Sequence, residues 1–221
     1  MNRPPTAQIA VIVALPAEVV DNPAVAVHPL SGGSPLQRAV RGLADGPVVV
    51  AADARIIEDV RTHLADSPVT VLAVDAPADR MRCLAAGLDA VTRDRSSHVL
   101  VHDVRQPLVP AGVRDRVVAA LRDGAAAVLP VLAVTDSVKA VDRDGVVTAT
   151  VDRSTLRAAQ YPRGFATGEL ARLLAAGEPD EVAAAIRLRV PVTVVEGDGD
   201  AFVADLPGDA AYVDAVIACS R

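Results

Sequence analysis

A mostly parallel α/β sheet flanked by helices, with one inserted β-hairpin arm, is the fold this sequence predicts. Three observations predict it. Short Val/Ile/Ala runs alternate with amphipathic segments along the chain, the pattern of parallel strands covered by helical crossovers. The 221 residues suffice for one well-buried domain. The alternation breaks once, around Asp144-Gly145.

The strands are expected at Ile9–Ala14, Val48–Ala52, Val69–Val74, His98–His102, Ala126–Val131 and Pro191–Val195. Each is a short apolar run bounded by turn residues, as a strand buried on both faces should be. Helices are expected between them at Pro35–Leu43, Arg55–Ala65, Ala78–Val91, Pro110–Asp123, Thr167–Ala176 and Asp180–Arg187, with a last one from Asp209 to Ala218. Gly124 follows a helix ending in Arg122-Asp123 and reads as its C-cap. Ser137–Val141 and Val146–Val151 flank Asp144-Gly145, a dipeptide that favours a type I′ hairpin turn. An isolated hairpin is marginal in water, so this arm should pack on something, and a second subunit is the obvious partner. The expected organisation is a single domain over residues 1–221 with the arm at about 134–153.

Composition excludes several function classes. The 22 basic and 28 acidic residues leave a net charge of −6, which disfavours a nucleic-acid footprint. Tyr161, Phe165, Phe202 and Tyr212 are the only aromatics, too few for a single-strand stacking platform. No apolar run is long enough to span a membrane. Met1–Gln8 lacks the apolar core of a secretory signal, so a cytoplasmic location is expected. Cys83 and Cys219 lie far apart without metal spacing and are read as reduced. The four histidines form no zinc pattern.

In a doubly wound fold, ligands bind beyond the carboxyl ends of the strands. A phosphate cradle in the first such turn needs glycines, because backbone N–H groups must approach closely. Here the turn reads Leu15-Pro16-Ala17-Glu18-Val19-Val20-Asp21-Asn22-Pro23. It has no glycine and no basic residue, but two carboxylates. Gly32-Gly33 reads as a plain turn. At the fourth strand, His102-Asp103 places an acid where it could hold Mg²⁺ on a nucleotide or cap the following turn.

Four stretches carry a family resemblance. Val99-Leu100-Val101-His102-Asp103-Val104-Arg105-Gln106-Pro107-Leu108 resembles the H-D-A-A-R-P-L segment of the 2-C-methyl-D-erythritol 4-phosphate cytidylyltransferase (IspD) family. Asp136-Ser137-Val138-Lys139 is similar to its D-T/S-I/V-K, and Arg153-x-x-Leu156-x-x-x-Gln160-Tyr161-Pro162-Arg163-x-Phe165 to its R-x-x-L-x-x-x-Q-T-P-Q-x-F. Arg80-Met81-Arg82-Cys83-Leu84-x-x-Gly87-Leu88 is similar to R-x-x-S-V-x-x-G-L. The resemblance implies a Rossmann-like fold of the nucleotide-diphospho-sugar transferase type. It implies transfer of CMP from CTP to methylerythritol phosphate in isoprenoid precursor synthesis, with Mg²⁺. It also implies a homodimer whose hairpin arms interlock. By this match Asp103 and Asp209 fall to the metal, and Arg80, Cys83, Gly87 and Arg105 to the nucleotide side. Arg153 and Asp136 fall to the phosphate end of the second substrate.

The departures concentrate where the chemistry is. The family's G-S-G-x-R loop is the glycine-free stretch above, and Ala24-Val25 stands near its P-K lysine. A second family lysine falls on Val203, the arginine of H-D-A-A-R-P falls on Gln106, and Q-T-P-Q becomes Gln160-Tyr161-Pro162-Arg163. T-D-D-A becomes Pro179-Asp180-Glu181-Val182, and the chain's single lysine, Lys139, lies at the base of the arm. Nucleotidyl transfer relies on lysines and backbone donors to stabilise charge on the reacting phosphorus. The sequence therefore predicts a cytidylyltransferase-fold protein whose nucleotidyl transfer is weak or absent, a divergent enzyme that would draw on Arg80, Arg82, Arg105 and Arg163. The alternatives are a catalytically silent paralogue, a pseudoenzyme that binds or regulates a partner, or an enzyme for another anionic ligand held near Arg153. Tyr161 reads either as filling vacated substrate space or as packing.

Overall fold

The structure is a computed structural model describing residues 9–93 and 96–219; the segment 1–8, read above for a secretory signal, lies outside them. The first half runs β1 (Ile9–Leu15), α1 (Ala17–Asp21), α2 (Ala24–Val27), α3 (Pro35–Leu43), β2 (Val48–Asp53), α4 (Ile57–His63), β3 (Thr70–Val74), α5 (Arg80–Arg93), β4 (His98–His102) and α6 (Ala111–Arg122). The second half runs β5 (Ala127–Ala133), β6 (Val138–Val141), β7 (Val147–Val151), β8 (Arg157–Ala159), β9 (Arg163–Ala166), α7 (Thr167–Leu174), α8 (Glu181–Leu188), β10 (Val192–Glu196) and α9 (Ala210–Cys219).

The central sheet has the order β3-β2-β1-β4-β9-β5-β10, with β8 pairing β5 beyond the end of β9. Its ladders are parallel except where β9 runs antiparallel between β4 and β5, and where β8 meets β5. Strand β1 shows why its sequence is continuously apolar. Ile9, Val11, Val13 and Leu15 join the core on one face with α3, α4 and α6. Ala10, Ile12 and Ala14 join the core on the other face with α5, α7 and α8. With both faces buried, no position is left for a polar residue.

Local signals fix the helix ends. Ser34 caps α3 in a capping box with Gln37, followed by Pro35 in the first turn. Asp180 caps α8 through the Val182 and Ala183 N–H groups at 2.7 and 2.8 Å. Gly124 ends α6 with φ +96°, and the Ala125 N–H reaches back to the Ala120 carbonyl at 3.0 Å.

Two expectations are corrected. The arm's turn is not type I′ at Asp144-Gly145, because Gly145 has φ +79° while Asp144 does not enter the positive region. Instead Asp142 opens the turn. Its carbonyl accepts the Gly145 N–H at 3.2 Å, and its carboxylate accepts the Asp144 and Val146 N–H groups at 3.0 Å each. Those bonds favour a longer loop with glycine in the left-handed position. The stretch after β1, read as a loop, folds as α1 and α2. Val19, Val25 and Ala26 bury there, so apolar contact takes the place a phosphate-binding turn would occupy. No helix among the described residues is long and apolar enough to cross a membrane.

Candidate functional site

Strands β1 and β4 are parallel neighbours, with Val13 beside His102. The chain leaves β1 toward β2 and β3 on one side, and β4 takes up the other. This is the switch point at which doubly wound sheets bind ligands. A cavity of about 470 Å³ opens there, lined by Ala14, Pro16, Glu18, Val19, Asn22, Val25, Arg80, Asp103, Arg105, Val203, Ala204 and Asp205.

Asp103 follows β4 directly and is 6% exposed. The Arg105 guanidinium and backbone N–H occupy both its oxygens, with contacts from 2.6 to 3.2 Å. Burial pushes the carboxyl upward, but these Arg105 bonds outweigh it and hold the pKa below its ordinary value. Arg80 opens α5 and reaches the Glu181 carboxylate at 2.6 Å. Burial works against its charge; Glu181 foremost, with Tyr161 and Asp103, more than offsets that.

Behind Arg80 lies a cluster that sequence reasoning missed. Glu181 is fully buried and pairs with Arg80 and, at 3.2 Å, with Arg163. The guanidinium carbons of Arg80 and Arg163 lie 5.3 and 4.4 Å from the centroid of the Tyr161 ring, within cation–π range. The Tyr161 N–H donates to the Gln106 side chain at 2.8 Å, and His102 Nε2 meets the Gln106 carbonyl at 3.1 Å. Gln106, at the family's arginine position, thus anchors the Tyr161 backbone and the His102 ring. The missed Asp53 ends β2, fully buried, and accepts from the Arg55 guanidinium, the Arg55 N–H and, at 2.8 Å, the Ala78 N–H. The Arg55 bonds, against burial, hold its carboxyl well below the usual carboxylate range. Through Ala78 it fixes the start of α5, and so the origin of Arg80.

Arg80, Asp103 and Arg105 therefore meet on one cavity. Cys83 and Gly87 lie elsewhere, on the buried side of α5. Cys83 is fully buried in the core, and burial, then the Asp53 and Asp79 charges, pushes its thiol up to about 12. At Gly87 a Cβ would lie 2.6 Å from Ile12 Cγ2, so this glycine lets α5 approach β1. Asp209 accepts the Asp205 N–H at 2.7 Å ahead of α9. Asp136 and Arg153 stand exposed at the base of the arm, where Arg153 donates to the Thr135 carbonyl. None of these five residues lines the cavity.

Two arginines and three carboxylates line the cavity, and Val25 and Val203 occupy wall at or near the two lysine positions noted above. A divalent cation does not fit Asp103 as it stands, because both its oxygens are committed to Arg105.

Comparison with known proteins gives one answer. The family profile for 2-C-methyl-D-erythritol 4-phosphate cytidylyltransferase (IspD) matches residues 22–218. The enzyme of that name from Saccharopolyspora erythraea is 39% identical over 203 residues, covering 87% of this chain and 90% of that one. A bifunctional IspD/IspF enzyme of Paracoccus denitrificans is 38% identical over 203 residues, 89% of this chain but only 52% of its own length. The crystal structure of the cytidylyltransferase from Thermus thermophilus superposes with a TM-score of 0.72 at 25% identity, covering 96% of this chain and 99% of that one. With a family match over most of its length and relatives at this identity, the chain belongs to the 2-C-methyl-D-erythritol 4-phosphate cytidylyltransferase (IspD) family.

Proposed function

We propose that this chain is a catalytically silent member of its family. It keeps the scaffold that elsewhere transfers CMP from CTP to methylerythritol phosphate for isoprenoid precursors, and it serves as a binding or regulatory partner. The observation that carries this reading is the cavity lining. Ala14, Pro16, Val19 and Val25 form an apolar wall at the end of β1, and Glu18 and Asp205 add negative charge. A magnesium triphosphate meets neither glycine backbone nor lysine there, and Mg²⁺ would have to displace Arg105 from Asp103. Losing one charge-stabilising donor typically costs about 10²–10³-fold in rate, and this cavity lacks several.

The arm supports assembly as a homodimer. Val141, Val146 and Val147 are each 59% exposed on it, an apolar surface that a second copy would cover.

A second reading is a slow cytidylyltransferase, favoured by Asp103, Arg80 and Arg105 meeting at the switch point. Pyrophosphate release from CTP, methylerythritol phosphate and Mg²⁺ separates the two, with the Saccharopolyspora erythraea relative as reference. Release below about 1% of the reference rate is expected. A rate within tenfold, abolished by Asp103→Asn, would overturn the silent reading.

A further inference from the structure

Arg80 is the one arginine of the cavity whose charge is shared with a buried cluster outside it. Its partner Glu181 has no solvent exposure and divides its two oxygens between Arg80 at 2.6 Å and Arg163 at 3.2 Å. Glu181 is held there by the fold, as the first residue of α8 immediately after the Asp180 cap. Arg163 comes from β9 and Tyr161 from the segment just before it, so two separate parts of the chain, α8 and the β9 segment, converge on Arg80. Glu181, Tyr161 and Arg163 are all departures from the family pattern, and the last two are neighbours in space: the Arg163 guanidinium lies over the Tyr161 ring. The Nε atoms of Arg80 and Arg163 are buried without a hydrogen-bond partner, so one carboxylate and one aromatic ring hold two cations.

We propose that Glu181, with Arg163 as its second partner, is the specificity-determining residue of this cavity, acting through Arg80 to set how much positive charge an anionic ligand meets. With Glu181 and Arg163 both present, the cluster behind the wall carries one net positive charge. Asp103 and Arg105 cancel, and Glu18 and Asp205 at the cavity add two negative charges. Removing the Glu181 charge raises the positive field at Arg80 by one unit; removing the Arg163 charge lowers it by one. At an effective dielectric near 20, a unit charge several ångströms away changes anion affinity by about tenfold or more. A purely structural role for the pair gives no such opposite signs. This inference rests on the proposal above that the triphosphate cradle is gone, and deepens it by naming what keeps Arg80 from replacing that cradle.

The test is calorimetric titration of inorganic pyrophosphate, without metal, into the full chain and its variants at two salt concentrations. Glu181→Gln is expected to bind pyrophosphate about tenfold more tightly than the unaltered chain, with a steeper salt dependence. Arg163→Gln, which installs the family's own residue and leaves a one-to-one Glu181–Arg80 pair, is expected to bind more weakly. Arg163→Lys, which keeps the charge, should stay near the unaltered affinity. Glu181→Gln that folds but binds no more tightly overturns the proposal, as does Arg163→Gln binding equally or better. If Glu181→Gln fails to fold, the two Arg163 variants decide alone. Efficient CMP transfer by the unaltered chain would defeat the silent reading, whereas unchanged pyrophosphate affinities would defeat only this inference.

Discussion

Acidifying the protein from pH 7 to pH 5 protonates the His102 ring in the unfolded chain but not in the folded one. The ring is fully buried. With its Nε2–H donated to the Gln106 carbonyl, Nδ1 carries the lone pair and has no partner. A proton there would have no acceptor. Burial is the main cause that pushes the pKa from the ordinary 6.5 down to about 4; the Asp103 charge and the Gln106 bond oppose it, and Arg80 reinforces it. Because the folded pKa is depressed, the unfolded chain binds the extra proton, so stability is complete above pH 6.5 and falls as pH drops toward 4. At pH 5 the unfolded ring is about thirtyfold more protonated than neutral, and the folded ring about tenfold less. The difference removes about 2 kcal/mol relative to pH 7, or a melting temperature about 4–8 °C lower in a chain of this size. Urea denaturation at both pH values, on the unaltered protein and on His102→Gln, isolates this contribution. Glutamine keeps a donor for the Gln106 carbonyl but cannot titrate. Half-buried His98, whose pKa is also lowered, by burial first and then Arg122, contributes equally to both proteins and cancels. Equal losses in the two proteins would refute the reasoning.

Two further outcomes follow from the cavity and the arm. Val203 lines the cavity at 62% exposure, so Val203→Lys adds an ammonium without burying it. Pyrophosphate affinity measured by calorimetry should rise about five- to tenfold, with thermal stability unchanged within about 0.5 kcal/mol. In sedimentation velocity the chain should run as a dimer, and replacing residues 138–151 by a short glycine turn should yield a folded monomer; a monomeric unaltered chain would remove the arm's assembly role.

The central strands β1, β2 and β4 were legible because burial on both faces writes unbroken apolar runs. The edge strands β3 and β10, largely exposed or half-buried, were legible from their Val-rich runs, and helices α3 and α8 from caps such as Ser34 and Asp180. Strand β9 was not. It has four residues, and at Gly164 a Cβ would come within 2.6 Å of Val117 Cγ1; the side chain missing from the pattern is what lets α6 pack. Helices α1 and α2, five and four residues long, are too short to show a helical period. At the site, Arg80, Asp103 and Arg105 were legible from local segments. Glu181 was not, because its meaning lies in a partner 101 residues away and its buried state cannot be read from Pro179-Asp180-Glu181-Val182. Cys83 and Gly87 show the converse. A matching motif can mark how closely a helix lies on its sheet rather than what the sheet binds.

The ladder between β5 and β8 has a topological consequence. Ala133 is the register partner of Arg157, so the chain departs from the sheet and returns to it at adjacent points, a pair of directly opposed residues with Cα atoms about 5 Å apart. The 23 residues between them form an excursion closed at its root by hydrogen bonds that belong to the sheet itself. Loop-closure entropy changes slowly with length, so that excursion can lengthen, shorten or change sequence while the strands below it keep their register. The subunit contacts proposed for the arm and the chemistry of the pocket can then change separately within one polypeptide, one through the tip of the excursion and the other through the segment after the first strand.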